Sequence, residues 1–342
     1  MDGAPEGHSA PVALDAHGAD GGPELVREGA ALAAAAGVPV RLFGPAGLDP
    51  PDGVELIACE EWIGNEEEPV PAVRSRPQTS IVRAAADVAD GRSSAVVSAG
   101  STGATMTAAL FALKRMHGVH RPALAAQLPV PAEDGRTVLF LDVGANTEVR
   151  PQHLIQFAFM GAAFSQAVLD VSAPRVALLS VGEEQKKGHP DVVAAHATLA
   201  GSDGIEFTGN VEGRDLLSGA VDVVVTDGFT GNVTLKTLEG TARAVADAVR
   251  AAARSGPVAA TGGLLLRPAL GGLRRTMDPN KVGGAILLGI RGVAVVAHGS
   301  STPEGIANAV RLAERTVRER AVDRTAALLE SSGATRERLR EA

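Results

Sequence analysis

Short β-branched runs, each closed by a glycine-rich polar turn and followed by an amphipathic stretch, recur along this chain. The plainest case is 221–240. Val221, Val223, Val224 and Val225 form a run without polar alternation, which predicts a strand covered on both faces in a parallel sheet. Asp227 and Gly228 break it. From Gly231 onward the apolar residues fall at Leu235, Leu238, Ala242, Val245, Val249 and Ala252, steps of three and four that trace one face of a helix. The same order of strand, turn and helix is predicted for 11–15 before a helix over 24–36, and for 94–98 before a helix reaching Met116. It recurs for 138–142 before a helix opened by Pro151, and for 175–181 before a helix over 191–199. Strands at 38–43 and 54–57, a helix over 79–90, and a strand at 293–297 leading into a helix over 304–319 complete the series. Such a cadence predicts an α/β fold: a doubly wound, mostly parallel sheet with helices on both faces.

Four stretches depart from the cadence. Residues 1–10 read as a disordered leader and 323–342 as a charged, helix-prone tail, which leaves 11–322 as a single α/β domain. The segment 64–80, with its adjacent acids, prolines and arginines, reads as a functional surface loop. Residues 255–284 have a Leu-rich centre with glycines at both ends and read as a projecting helical hairpin. Its short apolar face favours a dimer contact over a membrane-surface role. The pentapeptide FTGNV occurs at 207–211 and again at 229–233, which reads as two similar turns facing one cleft.

Composition narrows the classes. With a formal net charge of -8 the chain is a poor nucleic-acid binder, although a local basic patch for an acidic partner is compatible with it. Cys59 is the single cysteine, so neither an intrachain disulfide nor a multi-cysteine metal site can form, and a cytoplasmic compartment is expected. The N-terminus lacks the basic-then-apolar order of a signal peptide. The most apolar run, 283–297, is broken by Arg291 and falls short of a membrane span.

The chemistry is expected where strands end, because turns there hold ligands in open α/β sheets and free N–H groups at a helix start favour an anion. Four such turns stand out: Asp15 to Asp20 with His17, Gly100 to Ala104, Asp227 to Asn232, and His298 to Ser301. Gly100, Ser101, Thr102 and Gly103 open a helix directly after a buried strand and are the best phosphate candidates. Thr230, Gly231 and Asn232 could contact a phosphate or an oxyanion, although Asp227 or Thr230 could equally cap the helix. Asn146 could hold its loop by an Asx turn just as well as contact a ligand. His17 and His298 could move protons near neutral pH. Lys187 lies in a turn with Glu183, Glu184 and Lys186. No metal-ligand spacing is present, nor any P-loop, dinucleotide fingerprint or GxSxG elbow.

With these turns in hand, the chain resembles the PlsX family of bacterial phosphate acyltransferases over about residues 11–312. The elements LDAHGAD, SAGSTGATM, RPALA, LDVGAN, HLIQFAFMG, GEEQKKG, GNVEGRD, DGFTGNVTLKTLEG, LLGIRG and HGSS occur in that order. The resemblance implies transfer of an acyl group from acyl-ACP to inorganic phosphate for phospholipid synthesis, by a homodimer without organic cofactor. It also implies a fold related to isocitrate and isopropylmalate dehydrogenases and to phosphotransacetylase. On that resemblance Lys187, Asn232 and His298 become catalytic candidates. Asp15, His17, Gly100, Ser101, Thr102, Gly103, Asn146, Asp227, Thr230 and Gly231 become substrate or phosphate ligands. Acyl carrier protein is the expected partner, and a peripheral contact of residues 255–284 with the cytoplasmic face of a membrane is a second option beside the dimer contact. The chain departs from the family pattern at His17, Ala19, Ser101, Val282 and Val296, where a divergent paralogue with another acyl thioester or acceptor would also differ.

Overall fold

The computed structural model describes residues 10–341 apart from 132, 134 and 277, so the expected leader lies outside it but for Ala10. The first half alternates β1 (Val12–Asp15), α1 (Gly22–Ala35), β2 (Val40–Gly44), β3 (Val54–Ala58), α2 (Pro69–Ser75), α3 (Ser80–Ala89), β4 (Ala95–Ser98) and α4 (Thr102–Leu113). The middle holds β5 (Ala123–Pro129), β6 (Thr137–Leu141), α5 (Pro151–Val168), β7 (Arg175–Leu179), α6 (Pro190–Leu199), β8 (Glu206–Val211) and β9 (Val223–Val225). Then come α7 (Gly228–Ala252), α8 (Pro257–Thr276), β10 (Ala285–Leu288), β11 (Val293–Val296), α9 (Pro303–Arg318), α10 (Ala321–Ser331) and α11 (Arg338–Glu341).

All these strands join one sheet in the order β3-β2-β1-β4-β11-β10-β5-β6-β9-β7-β8. Pairing is parallel within each flank and antiparallel at β11/β10, β10/β5 and β5/β6, so the two flanks run in opposite directions. The β-branched runs behave as read: every residue of β1, β4, β9 and β11 is buried. Helix α5 is apolar nearly all round and lies between the sheet and the later helices. At Gly161 an added Cβ would come within 2.6 Å of Val223, so the helix can approach β9 this closely only without a side chain.

Several expectations are corrected. The strands β5, β8 and β10 were not anticipated, because each works as an antiparallel link or an edge and carries no strand, turn and helix cadence. The first FTGNV copy lies inside β8, while the second opens α7, so the repeat does not make two equivalent turns. The loop 64–80 contains α2, opened by Pro69. The projecting hairpin is built from the outer half of α7, whose residues 240–251 are all exposed, and from α8; the window 255–284 supplies only its second arm. A Cβ on Gly263 would lie 2.8 Å from Ala253, which shows how closely the chain doubles back at the α7–α8 turn. The tail packs through α10 against α5, with Leu329 1% exposed. No helix among the described residues is long and apolar enough to cross a membrane.

Candidate active site

Pairing register decides where the strand tips meet. Asp15, Ser98, Val296, Ala285, Ala126, Phe140 and Val224 are successive partners across the sheet. The strands β1, β4 and β11 end on that line, and β6 and β9, running the other way, end one residue beyond it. The turns that leave both flanks therefore start at the same level, although β4 and β9 are five strand spacings apart.

The first group of candidates follows β1, β4 and β11. Asp15 is buried and accepts the Ser98 hydroxyl at 2.8 Å and the His17 N–H at 3.1 Å, and burial pushes its carboxyl above the usual carboxylate range. Ser98 in turn accepts the Gly100 N–H at 3.0 Å. Gly18 has φ +85°, and a Cβ there would fall 2.5 Å from the Gly100 Cα, so the two turns pack backbone on backbone. His17 places Nε2 3.0 Å from the Cys59 carbonyl and stacks on Trp62, with ring centroids 5.1 Å apart. Ser101 is the N-cap of α4, though its bond to the Ala104 N–H is long at 3.4 Å. The N–H groups of Ser101, Thr102 and Gly103 have no protein acceptor among the described residues, and Thr102 is exposed. Such a helix start is free to receive an oxyanion. His298 joins this group through the hydrogen bond of the Ala297 N–H to Ser98 at 2.9 Å, and the Asp20 N–H donates to Gly299 at 2.8 Å.

The second group follows β6 and β9, and most of it is structural. Asp142 is buried and accepts N–H bonds from Leu124, Gly144, Ala145 and Asn146 and from the Asn146 side chain, at 2.7–3.1 Å. Asn146 also donates from its side-chain nitrogen to the Pro122 carbonyl at 2.7 Å, so its amide holds the loop in place. Asp227 caps α7 by accepting the Thr230 N–H at 2.8 Å, and the Gly228 N–H donates to the Asn146 carbonyl at 2.7 Å. A Cβ on Gly231 would sit 1.8 Å from the Asp142 carbonyl oxygen. The start of α7 is thus pressed onto the Asp142 turn with those donors already engaged. Thr230 and Asn232 are exposed, and Asn232 faces Gly144.

One helix face joins the groups. Asn232, Lys236 and Glu239 recur at four and three residues, so they share a stripe of α7 about 10 Å long. Lys236 donates to Glu239 at 2.8 Å, and Glu239 lies 3.8 Å from the His298 Nε2. The His298 Nδ1 accepts the Ser300 N–H at 3.2 Å, which leaves the ring proton on Nε2, facing Glu239. His298 and Lys236 together hold the Glu239 carboxyl down at about 2. Lys187 stays apart: it is exposed on the turn after β7, and no hydrogen bond or ion pair among the described residues joins it to either group. Trp62, Asp142, Lys236 and Glu239 escaped sequence reasoning. Only the last two left a signal, the spaced opposite charges in LKTLEG.

Residues 10–324 match the family model described as "Fatty acid synthesis protein". Phosphate acyltransferase from Geobacillus thermodenitrificans (strain NG80-2) is 43% identical over 313 residues, covering 90% of this chain and 94% of the relative. The Gloeobacter violaceus phosphate acyltransferase is 43% identical over 322 residues, covering 92% and 95%. The chain belongs to the PlsX family of phosphate acyltransferases. In fold, this PlsX-family chain is similar to a phosphotransacetylase from Streptococcus pyogenes, with a TM-score of 0.58, 17% identity and coverage of 90% and 94%. It also resembles a 4-hydroxythreonine-4-phosphate dehydrogenase from Klebsiella pneumoniae, with a TM-score of 0.50, 16% identity and coverage of 90% and 100%. No group of His, Cys, Asp and Glu among the described residues could hold a metal ion.

Proposed function

We propose that the chain transfers an acyl group from acyl-ACP to inorganic phosphate, giving acyl phosphate and free ACP for phospholipid synthesis in the cytoplasm. Phosphate is already a nucleophile at neutral pH, so the protein has to position it and receive the charge that develops on the thioester oxygen. The observation that carries the reading is the bare start of α4. The N–H groups of Ser101, Thr102 and Gly103, with the Thr102 hydroxyl, hold phosphate beside the Asp15–Ser98–Gly100 network and the His17 turn. Phosphate oxygen then attacks the thioester carbonyl, the carbon–sulfur bond breaks, and the ACP thiolate leaves with the electron pair. Asn232, exposed on the stripe that leads to His298, supports the oxyanion. Lys187, from the turn after β7, offsets charge on the phosphate or the thiolate.

The chain acts as a homodimer. Support comes from the hairpin, where Val258, Leu264, Leu265 and Leu266 are 88%, 66%, 78% and 57% exposed and offer a face for a second copy or for a membrane surface. Mass detection of acyl phosphate from a panel of acyl-ACPs with phosphate tests the activity. Asn232→Ala and Lys187→Ala should each lower turnover on the order of a hundredfold if one donor is lost from the transition state. Near wild-type turnover in either variant would remove that residue from the mechanism.

A further inference from the structure

Between the end of α4 and the start of β5, and on the segments packed there, unpaired arginines collect. Arg115, Arg121, Arg150, Arg291, Arg336 and Arg340 take part in no ion pair among the described residues, and all but the half-buried Arg336 are exposed. Several arginines elsewhere are engaged: Arg136 and Arg175 share Asp222, Arg315 meets Asp170, and Arg318 meets Glu314, while Arg243, Arg254 and Arg267 lie scattered along the hairpin without an ion pair among the described residues.

The clustering is built by the fold. The Gln156 side-chain nitrogen donates to the Gly118 and Ala334 carbonyls at 2.7 and 2.9 Å, and its oxygen accepts the His120 N–H at 2.7 Å. That pins the C-terminal segment, with Arg336 and Arg340, beside the 118–121 turn. The Arg336 N–H also donates to Gly118, the Arg115 guanidinium donates to the His120 carbonyl, and Arg291 donates to the Arg115 carbonyl at 3.0 Å. The rings of His120 and His153 meet at 5.5 Å within this cluster. Burial first, and then Arg336, Arg340 and Arg115, push His120 below its ordinary value; burial, Arg121 and Arg150 act in the same way on His153. Glu337 and Asp191 are the acids that oppose this field.

The patch borders the candidate site. Asn146 bonds the carbonyl of Pro122, next to Arg121, and the Asp142–Asn146 turn also carries Gly144, which faces Asn232. On a chain of net charge -8, a clustered basic face flanking one rim of the site favours an acidic partner. We propose that the surface formed by Arg115, Arg121, Arg150, Arg291, Arg336 and Arg340 is the docking site for the acidic carrier protein that delivers the acyl thioester. This rests on the acyl-ACP reading above.

The test is the double charge reversal Arg121→Glu with Arg340→Glu in the full chain, residues whose side chains make no hydrogen bond within the described structure. The KM for acyl-ACP should rise about tenfold or more at low salt, and added salt should narrow the gap by weakening the wild type. kcat at saturating acyl-ACP and the KM for phosphate should not change. Titration with holo-ACP, which needs no turnover, should show weaker binding. Arg121→Gln with Arg340→Gln, checked by thermal unfolding, gives a smaller shift in the same direction if the reversed form fails to fold. Folded variants with wild-type acyl-ACP KM and holo-ACP binding would overturn the proposal. So would retained ACP binding with lost binding to phosphatidylglycerol vesicles, which would assign the patch to a membrane. Wild-type protein that binds holo-ACP through the patch but forms no acyl phosphate would instead defeat the activity reading alone.

Discussion

Asp142 accepts five N–H bonds in a buried turn, and no neutral side chain of the same shape can replace it there. Asparagine would turn one oxygen into a donor aimed at other donors, so Asp142→Asn should destabilise the protein by roughly 3 kcal/mol, read as a lower midpoint in urea unfolding. Its sequence motif, LDVGAN, left Asn146 open as a loop holder or a ligand, and the structure gives both of its amide hydrogens to the loop. A residue name can mark a site without telling support from contact. Glu239 is the converse, a residue with little sequence signal that the fold brings to His298. Its carboxyl lies at about 2 in the folded chain against an ordinary 4.5, so the stabilisation it adds is complete above 4.5 and is lost as pH falls toward 2. Glu239→Gln should therefore show its largest loss of Tm near neutral pH, with the difference from wild type shrinking as the solution is acidified below 4.5.

Helix α7 shows what an element inherits from local sequence and what it does not. Its strand, turn and helix order, its cap at Asp227 and its apolar spacing were all legible in the residues. Its first turn, however, is fixed by a neighbour distant in sequence: the Asp142 carbonyl occupies the space a side chain at 231 would need. Gly231→Ala should cost several kcal/mol of stability and lower soluble yield, because the obstacle is backbone and not a mobile side chain. The start of α4 differs in kind. Its N–H groups remain open, so phosphate should raise the Tm of the wild-type chain in a concentration-dependent way. Thr102→Pro, which removes one of these donors at a helical position that tolerates proline, should blunt that rise. An equal phosphate shift in the variant would place the anion elsewhere.

Across the whole molecule, the cluster around His120 and His153 ties distant parts together. His153 is held near 4 by burial and by Arg121, while in the unfolded chain it would take up a proton near 6.5. Its folded value is depressed, so stability should fall as pH drops below 6.5 and continue to fall until about 4; His153→Gln should flatten that part of a Tm-against-pH curve if the variant folds. The hairpin, which leaves the body after Glu239, contributes no buried face of its own among the described residues. Leu264→Ser with Leu265→Ser should accordingly leave Tm within about a degree, because exposed apolar groups add little to folding, while weakening self-association in sedimentation or adsorption to vesicles.

Residue order alone determined the parallel flanks, the turns after β1, β4, β9 and β11, the capping of α7, and the family resemblance, because those features depend on side-chain periodicity and turn chemistry within a few residues of each other. Tertiary structure decided the reversal of one flank against the other, the strands β5, β8 and β10, and the single line on which opposed strand tips meet, since antiparallel links between distant segments leave no local period. It also decided which polar residues are spent on backbone N–H groups and which face solvent. Hydrogen-bond partners are chosen by proximity in the folded chain, and a sequence records only which atoms are available to be chosen.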